Sequence, residues 1–371
     1  MKEVVFRTDA SLQIGTGHVM RCLTLAHALD ARGANCQFIC REHPGNLIEF
    51  IIASGFVVHI LPVGVHEEPR AMRHNIDAGE YETIYQQWLG ATQAQDAEAC
   101  APLVAELQPD WLIVDHYALD ASWERALKDY SSRLMVIDDL ANRPHVCNVL
   151  LDQSFGRTAG DYRPWAPADA KVLCGSQYAL LRPEFAALRT YSLQRRAAPQ
   201  LRQLMIGMGG VDKDNVTGLV METLKMCPLP AECSVTVVMG STAPWLAEVR
   251  QQVHELPWPA RLLSGIGDMA RLMAESDLAI GAAGSTSWER CCLGLPAIMV
   301  VLAENQEKVA RGLENAGAAA LIERLQDLGA RLPDLLTAIA ERPDQLMAMS
   351  TAASRIVDGR GVEAVLECLD Q

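Results

Sequence analysis

Apolar residues occur in short continuous runs separated by longer amphipathic stretches. Val4–Phe6, Cys36–Cys40, Trp111–Val114 and Leu134–Ile137 read as strands. The last two are wholly apolar, as parallel strands buried on both faces are. Between Gly17 and Arg32 the apolar positions Val19, Leu23, Ala26 and Leu29 share one face, which predicts a helix that Gly33 ends. Leu47–Ala53 predicts a second helix. Another series starts near Leu201, with strands at Leu204–Ile206, Val235–Met239, Arg261–Leu263, Leu278–Ile280 and Ala297–Val301. Helices are expected over 214–226, 244–254, 267–275, 286–293 and 306–316. This alternation predicts an α/β protein made of two Rossmann-like domains facing across a cleft. The polar stretch Thr190–Pro199 suggests the linker, giving domains at 1–190 and 201–371 joined by 191–200. Glu67–Ala99, poor in apolar residues but holding Trp88, reads as a helical insert.

Composition narrows the function classes. Half of the 371 residues are apolar, which excludes disorder as the main state. Lys plus Arg is 32 and Asp plus Glu is 46, a net charge of −14. Such a surface argues against nucleic acid or an anionic membrane as partner. A local anion site built from backbone N–H groups stays open. The eleven cysteines contain no Cys-x-x-Cys pair, so they read as small core residues in a reducing compartment rather than a zinc or disulfide framework. Met-Lys-Glu-Val-Val-Phe-Arg does not resemble a signal peptide, and no apolar run reaches the ~18–20 residues of a membrane span. The expectation is a cytoplasmic monomer.

Three loops carry candidate chemistry. After the first strand comes Arg7-Thr8-Asp9-Ala10-Ser11-Leu12-Gln13-Ile14-Gly15-Thr16-Gly17-His18-Val19-Met20-Arg21. Gly15 and Gly17 allow close approach of a ligand, but neither a dinucleotide fingerprint nor a P-loop is present. His18 lies in the first turn of a helix, whose positive end disfavours imidazolium; a neutral imidazole there suits a general base or a local hydrogen bond. The second loop, Gly281-Ala282-Ala283-Gly284-Ser285-Thr286-Ser287-Trp288-Glu289, pairs glycines and hydroxyls with a helix start. That suits an anion, or simple capping by Ser285 or Ser287. Glu289 suits a vicinal diol. The third loop, Gly207-Met208-Gly209-Gly210-Val211-Asp212, could approach a diphosphate. Asp115-His116-Tyr117 and Asn305-Gln306 follow strands at crevice positions and could equally be turns, as could Asp138 and Asp139. The other histidines, His66 and His74 included, show no metal-ligand spacing.

The stretch from Gly265-Ile266-Gly267-Asp268-Met269 through Gly284-Ser285-Thr286-Ser287-Trp288-Glu289 to Asn305-Gln306 is similar to the nucleotide-binding half of the peptidoglycan N-acetylglucosaminyltransferases, a GT-B fold. The combination Arg7-x-Asp9-x-Ser11-x2-Ile14-Gly15-x-Gly17-His18-x2-Arg21-Cys22-Leu23, Val114-Asp115-His116-Tyr117, Leu151-Asp152-Gln153 and Tyr178-Ala179-Leu180-Leu181-Arg182-Pro183-Glu184-Phe185 resembles the UDP-sugar hydrolases of pseudaminic acid biosynthesis over nearly the whole chain.

That resemblance implies hydrolysis of UDP-2,4-diacetamido-2,4,6-trideoxy-β-L-altropyranose at the anomeric carbon, with His18 directing the water. It places UDP on Gly209, Gly210, Ser285, Thr286, Ser287, Asn305 and Gln306. Glu289 would take the ribose diol, and backbone at Ile266 and Met269 the uracil. Asp9, Gly15, Gly17, Arg21, Asp115, His116 and Tyr117 would line the sugar or support those that do. No metal or cofactor is implied. The alternatives are a GT-B glycosyltransferase using a UDP-aminosugar donor and a non-catalytic nucleotide-sugar binder.

Overall fold

The computed structural model describes residues 2–64 and 85–371. They form two compact units: the first runs to Tyr178 and takes up Val362–Gln371, the second is Ala179–Gly361. In the first unit the order is β1 (Glu3–Thr8), α1 (Gly17–Asp30), β2 (Asn35–Arg41), α2 (Ile48–Ala53), β3 (Val57–Leu61), α3 (Gln93–Leu107), β4 (Trp111–Asp115), α4 (Ala121–Leu127), β5 (Arg133–Ile137), β6 (Val149–Asp152) and β7 (Lys171–Cys174). These strands make one parallel sheet in the order β3-β2-β1-β4-β5-β6-β7. The direction of strand addition reverses between β1 and β4, so the loops after those two strands diverge and leave room for a ligand.

The second unit contains α5 (Pro183–Arg196), β8 (Gln203–Gly207), α6 (Val216–Leu224), β9 (Ser234–Met239), α7 (Leu246–Val253), β10 (Ala260–Ser264), α8 (Met269–Glu275) and β11 (Leu278–Ala282). It continues with α9 (Thr286–Cys292), β12 (Ala297–Val300), α10 (Glu304–Asn315), β13 (Ala319–Ile322), α11 (Leu328–Glu341) and α12 (Pro343–Ser354). Its parallel sheet has the order β10-β9-β8-β11-β12-β13, with the reversal between β8 and β11. The last helix, α13 (Gly361–Leu369), enters the first unit, where Lys2 Nζ and Trp111 Nε1 each donate to the Leu369 carbonyl at 3.2 Å.

The cores follow the runs that predicted them. β4 and β11 are buried at every position, because helices cover both faces of a parallel sheet. Across β1 and β2 the rings of Phe6 and Phe38 stack at 4.9 Å. Gly33 ends α1 with φ +84°, a left-handed conformation open to glycine at little cost.

Two expectations are corrected. Residues 191–200 are not a linker: as far as Arg196 they belong to α5, which is part of the second unit. Arg189 donates to the carbonyls of Cys292, Val357 and Ser354, and Ser192 Oγ donates to Leu293 O. Arg196 is buried and donates to the carbonyls of Met273, Ala274, Ser276 and Gly294. Charged heads that cap buried carbonyls hide this helix from a hydrophobic pattern. The supposed insert, in turn, reaches into a capped helix, α3, whose Thr92 and Gln95 form a reciprocal capping box. The first part of that insert, with His74, lies outside the described residues, as does His66 just before it.

Candidate active site

Where β1 and β4 end, the first unit gathers His18, Arg21, Asp115, Tyr117 and Asp139. His18 is the second residue of α1, with 8% of its surface exposed. The loop before it folds back through a bridge between Ser11 and Gly15, whose φ is +80°, and Gly17 opens the helix. His18 Nδ1 lies 2.6 Å from Asp115 Oδ1. Asp115, the last residue of β4, is fully buried and also receives Arg21 Nε at 2.6 Å and Arg21 Nη2 at 2.7 Å. Burial alone would push this carboxyl up. The Arg21 guanidinium and His18 outweigh it and hold Asp115 far below the usual carboxylate range. An ionised acceptor at Nδ1 keeps the proton there and leaves the Nε2 lone pair available. No described residue hydrogen-bonds to Nε2. The Tyr117 ring meets His18 edge-on, centroids 4.6 Å apart at 84°. Tyr85 and Trp88 pack on Tyr117 in turn, at 5.2 and 6.2 Å.

Asp139, expected only as a strand-end carboxylate that could equally be a turn, follows the apolar strand β5 much as Asp115 ends β4. Its Oδ2 accepts from Arg21 Nη1 at 2.7 Å and from the Tyr117 hydroxyl at 2.9 Å.

Asp9 and His116 form a second, deeper cluster. Asp9 pairs with Arg7 Nη1 at 2.7 Å and accepts from Arg41 N at 2.7 Å. His116 Nδ1 accepts from Ala118 N at 3.0 Å, which leaves the proton on Nε2, 3.5 Å from Asp9 Oδ2. Burial pushes His116 down to about 3, so it stays neutral near pH 7. Arg7, Arg41 and Trp123 converge on Asp96, itself held down to about 2 against its burial by Arg7 and Arg41. These side chains brace the loop after β1.

In the second unit the expected residues line the C-terminal edge of the sheet. Gly207 pairs with Gly281, so the loops after β8 and β11 are neighbours. Both need glycine. A Cβ on Gly281 would fall against Arg290 Nη1 and 2.8 Å from Gly207 O; one on Gly240 would strike the Gly210 carbonyl. Gly209 has φ +102° and is exposed, with Gly210 half-buried beside it. Asp212 does not face this loop: both its oxygens accept from the start of α6, Val216 N and Thr217 N, at 2.9 Å.

Ser285 precedes α9 but makes no side-chain cap, so simple capping does not account for it. Ser287 Oγ is buried and accepts from Arg290 Nη2 at 2.9 Å. Thr286 is half-buried. Glu289 is half-buried with no hydrogen-bond partner among the described residues; burial, only partly countered by Arg182 and Arg290, pushes its carboxyl up to about 7. Ile266, between β10 and α8, and Met269, the first residue of α8, are half-buried. Asn305 is exposed at the start of α10, whereas Gln306 Oε1 is engaged by Leu302 N at 3.0 Å. Among the described residues, no group of three His, Cys, Asp or Glu side chains is placed to hold a metal ion.

Residues 204–361 match the model of the Glycosyltransferase family 28 C-terminal domain. That match falls within the second unit, and the fold of the chain is GT-B. Over its whole length the chain superimposes on MurG of Acinetobacter baumannii with a TM-score of 0.67, 18% identity and 99% of that chain covered. The UDP-2,4-diacetamido-2,4,6-trideoxy-beta-L-altropyranose hydrolase of Campylobacter jejuni is 28% identical over 85% of this chain and 97% of its own. The UDP-N-acetylglucosamine–N-acetylmuramyl-(pentapeptide) pyrophosphoryl-undecaprenol N-acetylglucosamine transferase of Salinibacter ruber is 31% identical, over 52% of each. Likeness to the hydrolase spans both units, and so does likeness to another such transferase, that of Erythrobacter litoralis, 27% identical over 95% of this chain and 87% of its own. No described helix is long and apolar enough to cross a membrane.

Proposed function

We propose that this chain is a UDP-sugar-processing enzyme, and specifically a hydrolase that releases UDP and free sugar from a UDP-diacetamido-trideoxyhexose. The observation that carries the reading is His18, held through Nδ1 by an ionised Asp115 with Nε2 unengaged by any described residue. That is the arrangement of a general base. The similarity to the hydrolase across both units supports the choice of substrate.

In the proposed reaction the oxygen of a water attacks the anomeric carbon while the bond from that carbon to the diphosphate oxygen breaks. The leaving UDP takes the bonding electron pair. The proton of the water passes to His18 Nε2, and Asp115 stabilises the imidazolium across the 2.6 Å bond. Arg21 keeps Asp115 ionised and aligned. Backbone N–H groups of the Gly209-Gly210 and Ser285-Thr286 loops meet the charge that develops on UDP. Glu289, with no hydrogen-bond partner among the described residues, accepts from the ribose hydroxyls. UDP is a good enough leaving group for the step to run without a metal.

The test is turnover by the His18→Asn variant. The proposal expects loss of UDP release with UDP binding intact. A variant that releases UDP at the wild-type rate removes His18 from the chemistry. Release of UDP only when a sugar acceptor is added moves the assignment to a glycosyltransferase.

A further inference from the structure

We propose that Asp139 is a positioning residue for His18, clamping the two side chains that fix the imidazole; the proposal rests on His18 being the base. Its carboxylate joins Arg21 and Tyr117, the two supports of His18. Arg21 spans two carboxylates, with Nε and Nη2 on Asp115 and Nη1 on Asp139, so its fork is fixed at both ends. That fork sets the Asp115 oxygen that holds Nδ1. Tyr117, whose ring edge abuts His18, is tethered by its hydroxyl to the same Asp139 Oδ2.

The neighbouring Asp138 shows what a merely structural carboxylate does here. It accepts from Leu140 N and Ala141 N of its own turn, from Arg143 Nη1 at 2.6 Å and from the Tyr162 hydroxyl. Among the described residues the Asp139 side chain accepts from no backbone group; its Oδ1 is buried without a partner there and its Oδ2 is given to Arg21 and Tyr117. Its main chain is anchored separately, by Arg157 Nη2 donating to its carbonyl at 3.0 Å. The backbone can therefore stay in place when the side chain is changed.

The test uses Asp139→Ala and Asp139→Asn in the full chain, each checked by thermal melting. Two readouts are taken: steady-state UDP release, and the imidazole ¹⁵N spectrum, with the His18 signal assigned from His18→Asn. Asp139→Ala is expected to lower kcat about 10- to 100-fold, the usual loss when a supporting partner is removed. KM should be unchanged, and the His18 spectrum should move from one tautomer to a mixture. Asp139→Asn keeps an acceptor oxygen toward Arg21 and Tyr117, so it should lose less on both counts. Should the Ala variant fail to fold, the Asn variant decides by the same two readouts. A folded variant with an unchanged His18 spectrum overturns the proposal, whatever its kcat. Wild-type turnover by His18→Asn would instead refute the base itself, and the spectral arm would still show whether Asp139 holds the ring.

Discussion

Glu289 is stored in an unfavourable state, and that has a measurable consequence. Burial raises its carboxyl from an ordinary 4.5 to about 7, with Arg182 and Arg290 only partly offsetting the effect and Glu184 adding to it. The folded protein thus binds this proton more tightly than the unfolded chain does. Below pH 4.5 the group is protonated in both states and costs nothing. Between pH 4.5 and 7 the unfolded chain ionises first, so stability falls as pH rises. Above pH 7 the full cost of holding the buried charge is present, at most about 3 kcal/mol for a shift of this size. Glu289 is half-buried, and solvent screening makes about 1–3 kcal/mol the expected range. Glu289→Gln keeps the shape and removes the charge. Urea denaturation followed through the second unit should show the variant more stable by that amount at pH 8 and equal to wild type at pH 4.5. The same change should weaken UDP binding at pH 8, because the acceptor for the ribose diol is lost. A variant no more stable at pH 8 than at pH 4.5 would refute the desolvation argument. One that binds UDP as well as wild type would refute the diol assignment.

Other substitutions test separate parts of the account. His18→Asn should lower kcat by about 10²–10⁴, the usual contribution of a general base, with isothermal titration giving unchanged UDP affinity. Gly240→Ala places a methyl group on the Gly210 carbonyl and should displace the loop after β8, read as lost UDP affinity in a folded protein. Arg196→Ala leaves the carbonyls of Met273, Ala274, Ser276 and Gly294 without their donor and should destabilise the second unit by several kcal/mol in thermal melts.

What the sequence showed, and what it hid, has a common physical origin. β1, β4, β8 and β11 were legible because strands covered on both faces read as continuous apolar runs. The four-residue strands β6, β7 and β13 were not read, although β12, equally short, was; β3 leaves Val57 and Ile60 exposed at the sheet edge. Glycine loops after strands marked both sheet edges, and the position of His18 at a helix start marked the candidate base. The partner that orients it was visible only as a carboxylate at a strand end, one of several. No periodicity says that Asp115 serves His18 or that Asp139 serves Arg21, while Asp138 ties its own turn. Nor does a pattern of apolar positions reveal that α5 packs through the buried Arg196 and the half-buried Arg189, or that α13 returns to the first unit.

Acceptor-free hydrolysis is the central claim, and proton NMR tests it most directly. The protein is mixed with UDP-2,4-diacetamido-2,4,6-trideoxy-β-L-altropyranose in EDTA, with UDP-N-acetylglucosamine run in parallel and no acceptor in either sample. The account predicts prompt appearance of UDP and free sugar from the first substrate alone. Absence of UDP from both samples, with release on adding a sugar acceptor, would contradict it.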